Sequence, residues 1–383
     1  MKQVTLKLTA LVMLLGGTIT VTNAQSTQPL NVVTSAVPFL RVTPDARSGA
    51  MGDVGIATAP DANSMFNNLA KTPFSASKGG LSLNYVPWLR DLAINDIYMA
   101  SASGYYKLDD QAAISASLRY FSLGSIEFTD FSGNPISTFR PREFAVDAGY
   151  SRKLSSKNSL GLAIRYISSK LASGLVNGVT YKGGSSVAGD LSFYHHGANA
   201  AGQGFNWGAT LTNLGAKIAY TSDATQKDYI PANLGLGCAY TKVFNEDSKL
   251  TFAADIHKLL VPTPGDTSAT ALQDYRSQGV VSSWFKSFGD APGGMGEELR
   301  EVNASIGAEY WYKDQFAFRA GYFYENPAKG NRKYFTVGAG LKYNMIGLNF
   351  AYLFNSGSGY NRNPLSNTYR FGLVFDFGGG AAN

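Results

Sequence analysis

From residue 80 onward the chain repeats one rhythm, in which bulky apolar side chains take every second position. Near the C-terminus Tyr369, Phe371, Leu373, Phe375 and Phe377 alternate with Arg370, Gly372, Val374 and Asp376. Just before them Ile346, Leu348, Phe350, Tyr352 and Phe354 alternate with Gly347, Asn349, Ala351 and Leu353. Upstream, Phe316, Phe318, Ala320, Tyr322 and Tyr324 stand against Arg319, Gly321 and Glu325, and Leu160, Leu162, Ile164 and Tyr166 against Gly161, Ala163 and Arg165. A period of two is that of a strand, whose side chains point to opposite faces. One face is bulky and apolar with aromatic ends, and the other is small or charged. That division suits a wall with lipid on one side and a polar lumen on the other.

The rhythm predicts fourteen strands, near 80–87, 94–107, 111–122, 142–154, 159–169, 186–195, 204–214, 232–243, 249–258, 301–312, 315–325, 333–343, 346–355 and 368–377. The predicted fold is all-β: a transmembrane antiparallel barrel over 80–377, with a short tail at 378–383. Polar turns at Lys107 to Asp110, Ser155 to Asn158, Asn245 to Ser248, Lys313-Asp314 and Asn344-Met345 alternate with long links at 123–141, 170–185, 215–231, 259–300 and 356–367. Short periplasmic turns and long extracellular loops alternate in this way in outer-membrane barrels, which places both termini in the periplasm. The 196–203 turn is long for its class, and the second strand has an ambiguous face.

The first 24 residues read as a secretory signal. Lys2 and Lys7 open it, an apolar stretch from Leu8 to Thr20 follows, and Thr22-Asn23-Ala24 offers small residues for cleavage before Gln25. Residues 25–79 form no strand pattern. Pro60 and Asp61 suit a short helix start, and the polar set Asp61, Asn63, Asn67 and Asn68 around Phe66 is expected to pack within the lumen as a plug. Fourteen strands enclose more space than their side chains fill.

Composition sharpens the class. The chain carries 33 Lys+Arg against 27 Asp+Glu; without Lys2 and Lys7 the balance is 31 to 27, or +4, with no basic run, which disfavours nucleic acid. Cys238 is the sole cysteine, so there is neither a lipobox nor a disulfide framework, and it falls on an outward face. No nucleophile elbow, His-Glu-x-x-His or phosphate loop occurs, so no catalytic residue, metal site or cofactor is expected. His195-His196 lies in a turn without ligand spacing. Asp255 and His257 share a lumen face, where Arg119, Arg165, Arg319 and Arg370 are expected to form a network with Asp147, Asp190, Glu309 and Asp376. In the longest link Val281, Trp284, Phe285 and Phe288 recur at i, i+3, i+4 and i+7, one face of a helix. Such a stripe either docks a partner or folds over the mouth. Trp88 and Leu89, in the first long loop, face the same choice.

Arg47 to Ala57, with its Met-Gly-Asp-Val-Gly-Ile-Ala run, and Asp61 to Lys71 resemble the N-terminal hatch of fourteen-stranded FadL-like proteins. Together with Ser283 to Gly294 and Gly296 to Leu299, they make the whole chain resemble the PorV (LptO) family of the type IX secretion system. FadL-like hatches usually read Asn-Pro-Ala where this chain has Asn68-Leu69-Ala70. The resemblance implies a carrier in the outer membrane, amid its lipid and lipopolysaccharide. Such a carrier collects cargo bearing a C-terminal sorting domain from the translocon (SprA, or Sov) and passes it to the attachment complex containing the sortase PorU. Two other classes stand beside it: a FadL-type channel for hydrophobic small molecules, and an outer-membrane lipid hydrolase. The hydrolase would need a Ser/His/acid or paired-carboxylate group, which the sequence does not supply.

Overall fold

The computed structural model describes residues 32–378 apart from 91–92, 130–131, 177–178, 224–225, 266–267, 357–364 and 366. The expected signal peptide over residues 1–24, residues 25–31 and most of the C-terminal tail therefore lie outside the described residues. Fourteen antiparallel strands close into a barrel. They are β1 Gly79–Pro87, β2 Ile97–Lys107, β3 Ala112–Leu123, β4 Arg142–Lys153, β5 Asn158–Lys170, β6 Gly184–His195, β7 Gly204–Gly215, β8 Asn233–Asn245, β9 Ser248–Leu259, β10 Asn303–Tyr312, β11 Phe316–Tyr324, β12 Lys333–Tyr343, β13 Ile346–Asn355 and β14 Thr368–Phe377. Each pairs with its sequence neighbour, and the ring closes where β1 meets β14, from Gly79 opposite Phe377 to Tyr85 opposite Phe371. Closure leaves no unpaired edge to solvate.

The two-residue rhythm has the expected physical meaning. On β1, Leu81 and Leu83 are 42% and 45% exposed while Ser82 between them is 0%. β14 repeats the pattern, with Phe371 exposed and Arg370 buried. Exposed large apolar groups on this scale mark a surface built for lipid. β2 resolves its face with Met99, Ser101, Ser103 and Tyr105 inward. It starts at Ile97 and not near 94, because the Asp96 carboxylate is turned aside to accept the Ser125 amide. β10 starts at Asn303 and not 301, since Leu299–Glu301 is a 3-10 turn whose Glu301 bonds Lys258.

The links alternate in length as expected, and three long ones fold outward as hairpins of their own: Ile126–Thr129 with Pro135–Phe139, Gly174–Val176 with Val179–Tyr181, and Ile218–Ala219 with Lys227–Asp228. The longest, between β9 and β10, carries helices.

The segment before β1 differs from expectation in its direction. Residues 33–36 lie at the long-loop end, where the Ala36 amide donates to the Tyr229 carbonyl and Tyr275 donates to the Thr34 carbonyl. Val33 packs there with Tyr229, Leu259, Val261 and Tyr275. The chain then runs down through the ring to Gly79 at the short-turn end. The barrel's strand ends, Gly79 and Phe377, lie together on the short-turn side, while the chain termini, on which the expectation of a periplasmic location falls, lie outside the described residues. The short helix also begins later than Pro60 suggests, at Ser64–Asn67, because Asp61 first closes a turn by accepting the Asn63 amide.

This threading makes a labelling prediction. With Cys238 replaced by alanine, Val32→Cys and Gly133→Cys should react with a membrane-impermeant maleimide on intact cells, and Asp110→Cys should not. Labelling of Asp110→Cys alone would invert the barrel, whereas a silent Val32→Cys beside a reactive Gly133→Cys would reverse only the thread.

Candidate functional site

Three layers fill the ring. At the long-loop end Val37, Phe39, Leu40 and Val42 pack with Val86, Met99, Phe121, Ile167, Phe323 and Tyr334 in one apolar layer. Trp88 belongs to this layer: it is half-buried and meets Phe121 edge-on at 4.9 Å. Leu89 beside it is also half-buried.

Beneath lies a turn of charge. Arg47, in α1 (Ala46–Gly49), donates to Glu309 through two nitrogens at 2.9 and 2.8 Å and to Asp61 at 2.9 Å. Glu309 also accepts from Arg319 at 2.7 Å. The next turn, Met51-Gly52-Asp53, presses into a dimple made by a cross-strand glycine pair, Gly307 opposite Gly321. A Cβ on Gly321 would stand 2.1 Å from the Met51 carbonyl carbon, and one on Gly307 would stand 2.4 Å from its oxygen. Gly52 has φ +70° and faces the Tyr322 backbone, so both conformation and space demand glycine. Asp53 then accepts from Arg370 and from the Tyr334 hydroxyl, each at 2.5 Å.

The third layer holds the asparagines. Asn63 accepts from Asn84 at 3.0 Å, and Asn67 donates to Ser48 at 3.0 Å. Asn68 donates to the carbonyls of Ile56 and Phe193 and caps the Ala70 amide. Phe66, in α2 (Ser64–Asn67), lies under the Arg119 guanidinium at 4.9 Å. Lys71, wholly buried, donates to the Gly55 carbonyl at 2.6 Å.

The lumen charges therefore group differently from expectation. Arg165 does take Asp147 and Asp190, and Arg319 takes Glu309. Arg370, however, finds Asp53 of the N-terminal segment, and Asp376 pairs with Lys342. Asp255 and His257 form no hydrogen bond with each other: Asp255 accepts from the amides of Gly55 and Ile56, and His257 meets Asn233 at 3.1 Å. His195 meets Asn158 at 2.7 Å, while the His196 ring stacks on Phe74. Arg47, Asp53 and Lys71 fall within the stretches that carry the family resemblance, but the sequence reading gave none of them a partner in the lumen.

At the long-loop end the β9–β10 link forms a platform. It holds α3 (Ala269–Ser277), α4 (Val280–Lys286) and α5 (Met295–Glu298). Lys258 at the end of β9 donates to Glu298 and Glu301 at 2.8 Å each, and Lys329 donates to Glu297 and Glu301. On the other flank Lys217 donates to the carbonyls of Arg276 and Gln278, and Tyr229 donates to Gln278. The expected helix over 281–288 ends at Lys286, leaving Phe288 in the following turn. Its inner face is Val280, Ser283 and Ser287, both serines fully buried and bonded to carbonyls of their own turn. The apolar residues stand outward: Val281 is 59%, Phe285 74% and Phe288 46% exposed, with Trp284 half-buried. Met295 and Leu299 add 68% and 69%. Phe288 is tied to the platform by Lys258, 5.9 Å above its ring.

Two predictions arise from these contacts. Glu309→Ala removes the carboxylate that Arg47 and Arg319 share, leaving Arg47 with Asp61 and the buried Arg319 with Asn349; breaking a buried ion pair costs roughly 3–5 kcal/mol. The strands keep their ladder, so the variant should migrate as a folded, heat-modifiable barrel while protease cuts residues 45–60 faster. The second concerns pH. Burial, reinforced by the charges of Glu298 and Glu301, pushes Asp290 up to about 6, against the pull of the Thr263 amide. A carboxyl whose pKa rises on folding favours the docked loop below its ordinary range and loses that advantage as pH rises through 6. Proteolysis within 263–300 should thus be severalfold slower at pH 5 than at pH 7.5, and Asp290→Asn should remove the difference.

Among solved structures, the toluene transporter TbuX of Ralstonia pickettii superposes with a TM-score of 0.52 at 14% identity, covering 87% of this chain and 98% of its own. A FadL homologue from Pseudomonas aeruginosa gives 0.50 at 12% identity, covering 88% and 99%. At such identities the likeness is one of fold. No curated protein sequence matches the chain. Residues 24–266, more than half of the chain, match the family described as Type IX secretion system protein PorV. The chain belongs to the PorV family of outer-membrane barrels.

Proposed function

We propose that this barrel is a carrier in type IX secretion, which binds cargo bearing a C-terminal sorting domain and shuttles it from the translocon to the surface sortase and attachment complex. Family membership sets the system. The observation that favours a docking role is the orientation of α4 and the turn after it, where Ser283 and Ser287 are buried while Val281, Phe285 and Phe288 face away. A lid would turn its aromatics down onto the mouth. This helix instead spends its small residues on packing and leaves its large ones on a platform held by four ion pairs. Large apolar groups kept exposed on a rigid base fit the anchor role at protein interfaces. Trp88 and Leu89 serve the mouth in this reading, as part of its apolar layer, and Asp61, Asn63, Phe66, Asn67 and Asn68 hold the plug.

The FadL-like fold also admits a channel for hydrophobic small molecules. That role requires residues 37–72 to leave their bonds to six or more strands, so the plug's contacts weigh against a standing pore.

Phe285→Ser with Phe288→Ser tests docking without touching a strand. Loss of interface anchors costs roughly 2 kcal/mol or more each, over tenfold in affinity per residue. The barrel should remain abundant in the outer membrane, co-purification with the translocon should fall, and cargo should accumulate in the periplasm. Unchanged secretion and co-purification would end the docking reading for this helix, and a rise in small-molecule uptake would favour the channel.

A further inference from the structure

Four arginines are buried to 4% exposure or less among the described residues: Arg119, Arg165, Arg319 and Arg370. Three bond carboxylates, Arg165 with Asp147 and Asp190, Arg319 with Glu309, and Arg370 with Asp53. Arg119 does not. Its one hydrogen bond runs from Nη1 to the Leu40 carbonyl at 3.3 Å, and its Nε is buried without a partner. One face of its guanidinium is covered by the Phe66 ring. A buried cation is ordinarily paired, because removal from water costs several kcal/mol that only a partner offsets.

Arg119 lines a lumen cavity of about 120 Å³ that lies between the apolar layer and the asparagine layer. Thr212 and His257 supply polar wall, and Leu40, Phe66 and Phe323 supply apolar wall. The N-terminal segment, with Leu40 to Pro44, roofs it on the long-loop side. For scale, an apolar cavity of ~150 Å³ holds benzene. A guanidinium fork matches a carboxylate geometrically, and the mixed wall suits an anion with a small apolar body over a highly charged one. Asp53 and Asp255, also on the wall, would repel a dianion, and the wall's other guanidiniums, Arg41 and Arg332, are already taken by Glu325.

We propose that the cavity beside Arg119, smaller than one that holds benzene, is a binding site for a short aliphatic monocarboxylate, about the size of propionate, roofed by the N-terminal segment. The carboxylate pairs with the Arg119 guanidinium, which no carboxylate of the described residues bonds, and its apolar body lies against Phe66 and Phe323.

The test is calorimetric titration of the full-length detergent-solubilised barrel with sodium propionate, with 1-propanol as the uncharged comparison of similar size. Saturable binding of one propionate is expected, with none for 1-propanol over the same concentrations. Arg119→Gln should weaken propionate at least tenfold and Arg119→Lys less so. Thr212→Leu, which fills the cavity and leaves the charge in place, should also weaken it. Heat-modifiable mobility reports that each variant is folded; if Arg119→Gln is not, Arg119→Lys and Thr212→Leu decide. The site is refuted by no saturable propionate binding in the unaltered protein, by 1-propanol binding as tightly, or by affinity unchanged in the folded variants.

Discussion

Hydrocarbon offers no partner to a peptide N–H or C=O, and the structure is arranged around that deficit. Every barrel strand, β1 to β14, meets a neighbour on both sides, and the seam between β1 and β14 turns a sheet with two raw edges into a ring. Once the ring is closed, alternation follows, because each strand has one face in lipid and one in the lumen. Leu81, Leu83 and Tyr85 face out for the same reason that Ser82 and Asn84 face in.

Closure creates the second problem. A fourteen-stranded ring is too wide for its own side chains to fill, and its inner face carries charges that need partners. The N-terminal segment answers both at once. Asp53 supplies the carboxylate that Arg370 lacks among neighbouring strands, and Arg47 joins Arg319 on Glu309. The wall in turn gives way to the segment, with Gly307 and Gly321 forgoing side chains where Met51 and Gly52 come close. Backbone and charge thus fix the thread in one register, and Arg119 is the position where the pairing stops.

Much of this was legible in the sequence, and the reason is the solvent. Tyr369 to Phe377 could be assigned residue by residue because lipid punishes a one-residue slip along the whole strand. The order of short and long links was equally plain. What stayed hidden depends on pairs far apart in the chain. Asp53 and Arg370 are 317 positions apart, and no local rhythm joins them. The direction of the N-terminal thread rests on Thr34 and Ala36 meeting Tyr275 and Tyr229, residues of two separate loops. The helix start was misplaced because Pro60 and Asp61 signal a cap equally well when the first turn is only an Asx turn.

The loop helix shows the same limit from the other side. Its i, i+3, i+4, i+7 stripe was visible, but periodicity says only that residues share a face, and nothing about which way that face looks. The answer came from the remaining face, where the buried Ser283 and Ser287 satisfy their hydroxyls on carbonyls of their own turn and Ser283 also meets Tyr229. Val280 joins them by filling the Tyr229–Tyr275 cluster. With that side committed, and with Lys258 and Lys329 clamping Glu297, Glu298 and Glu301 below, the platform has no freedom to roll its aromatics inward. The apolar stripe is held in water by the chain's own ion pairs, so its exposure follows from the platform beneath it more than from hydrophobicity itself.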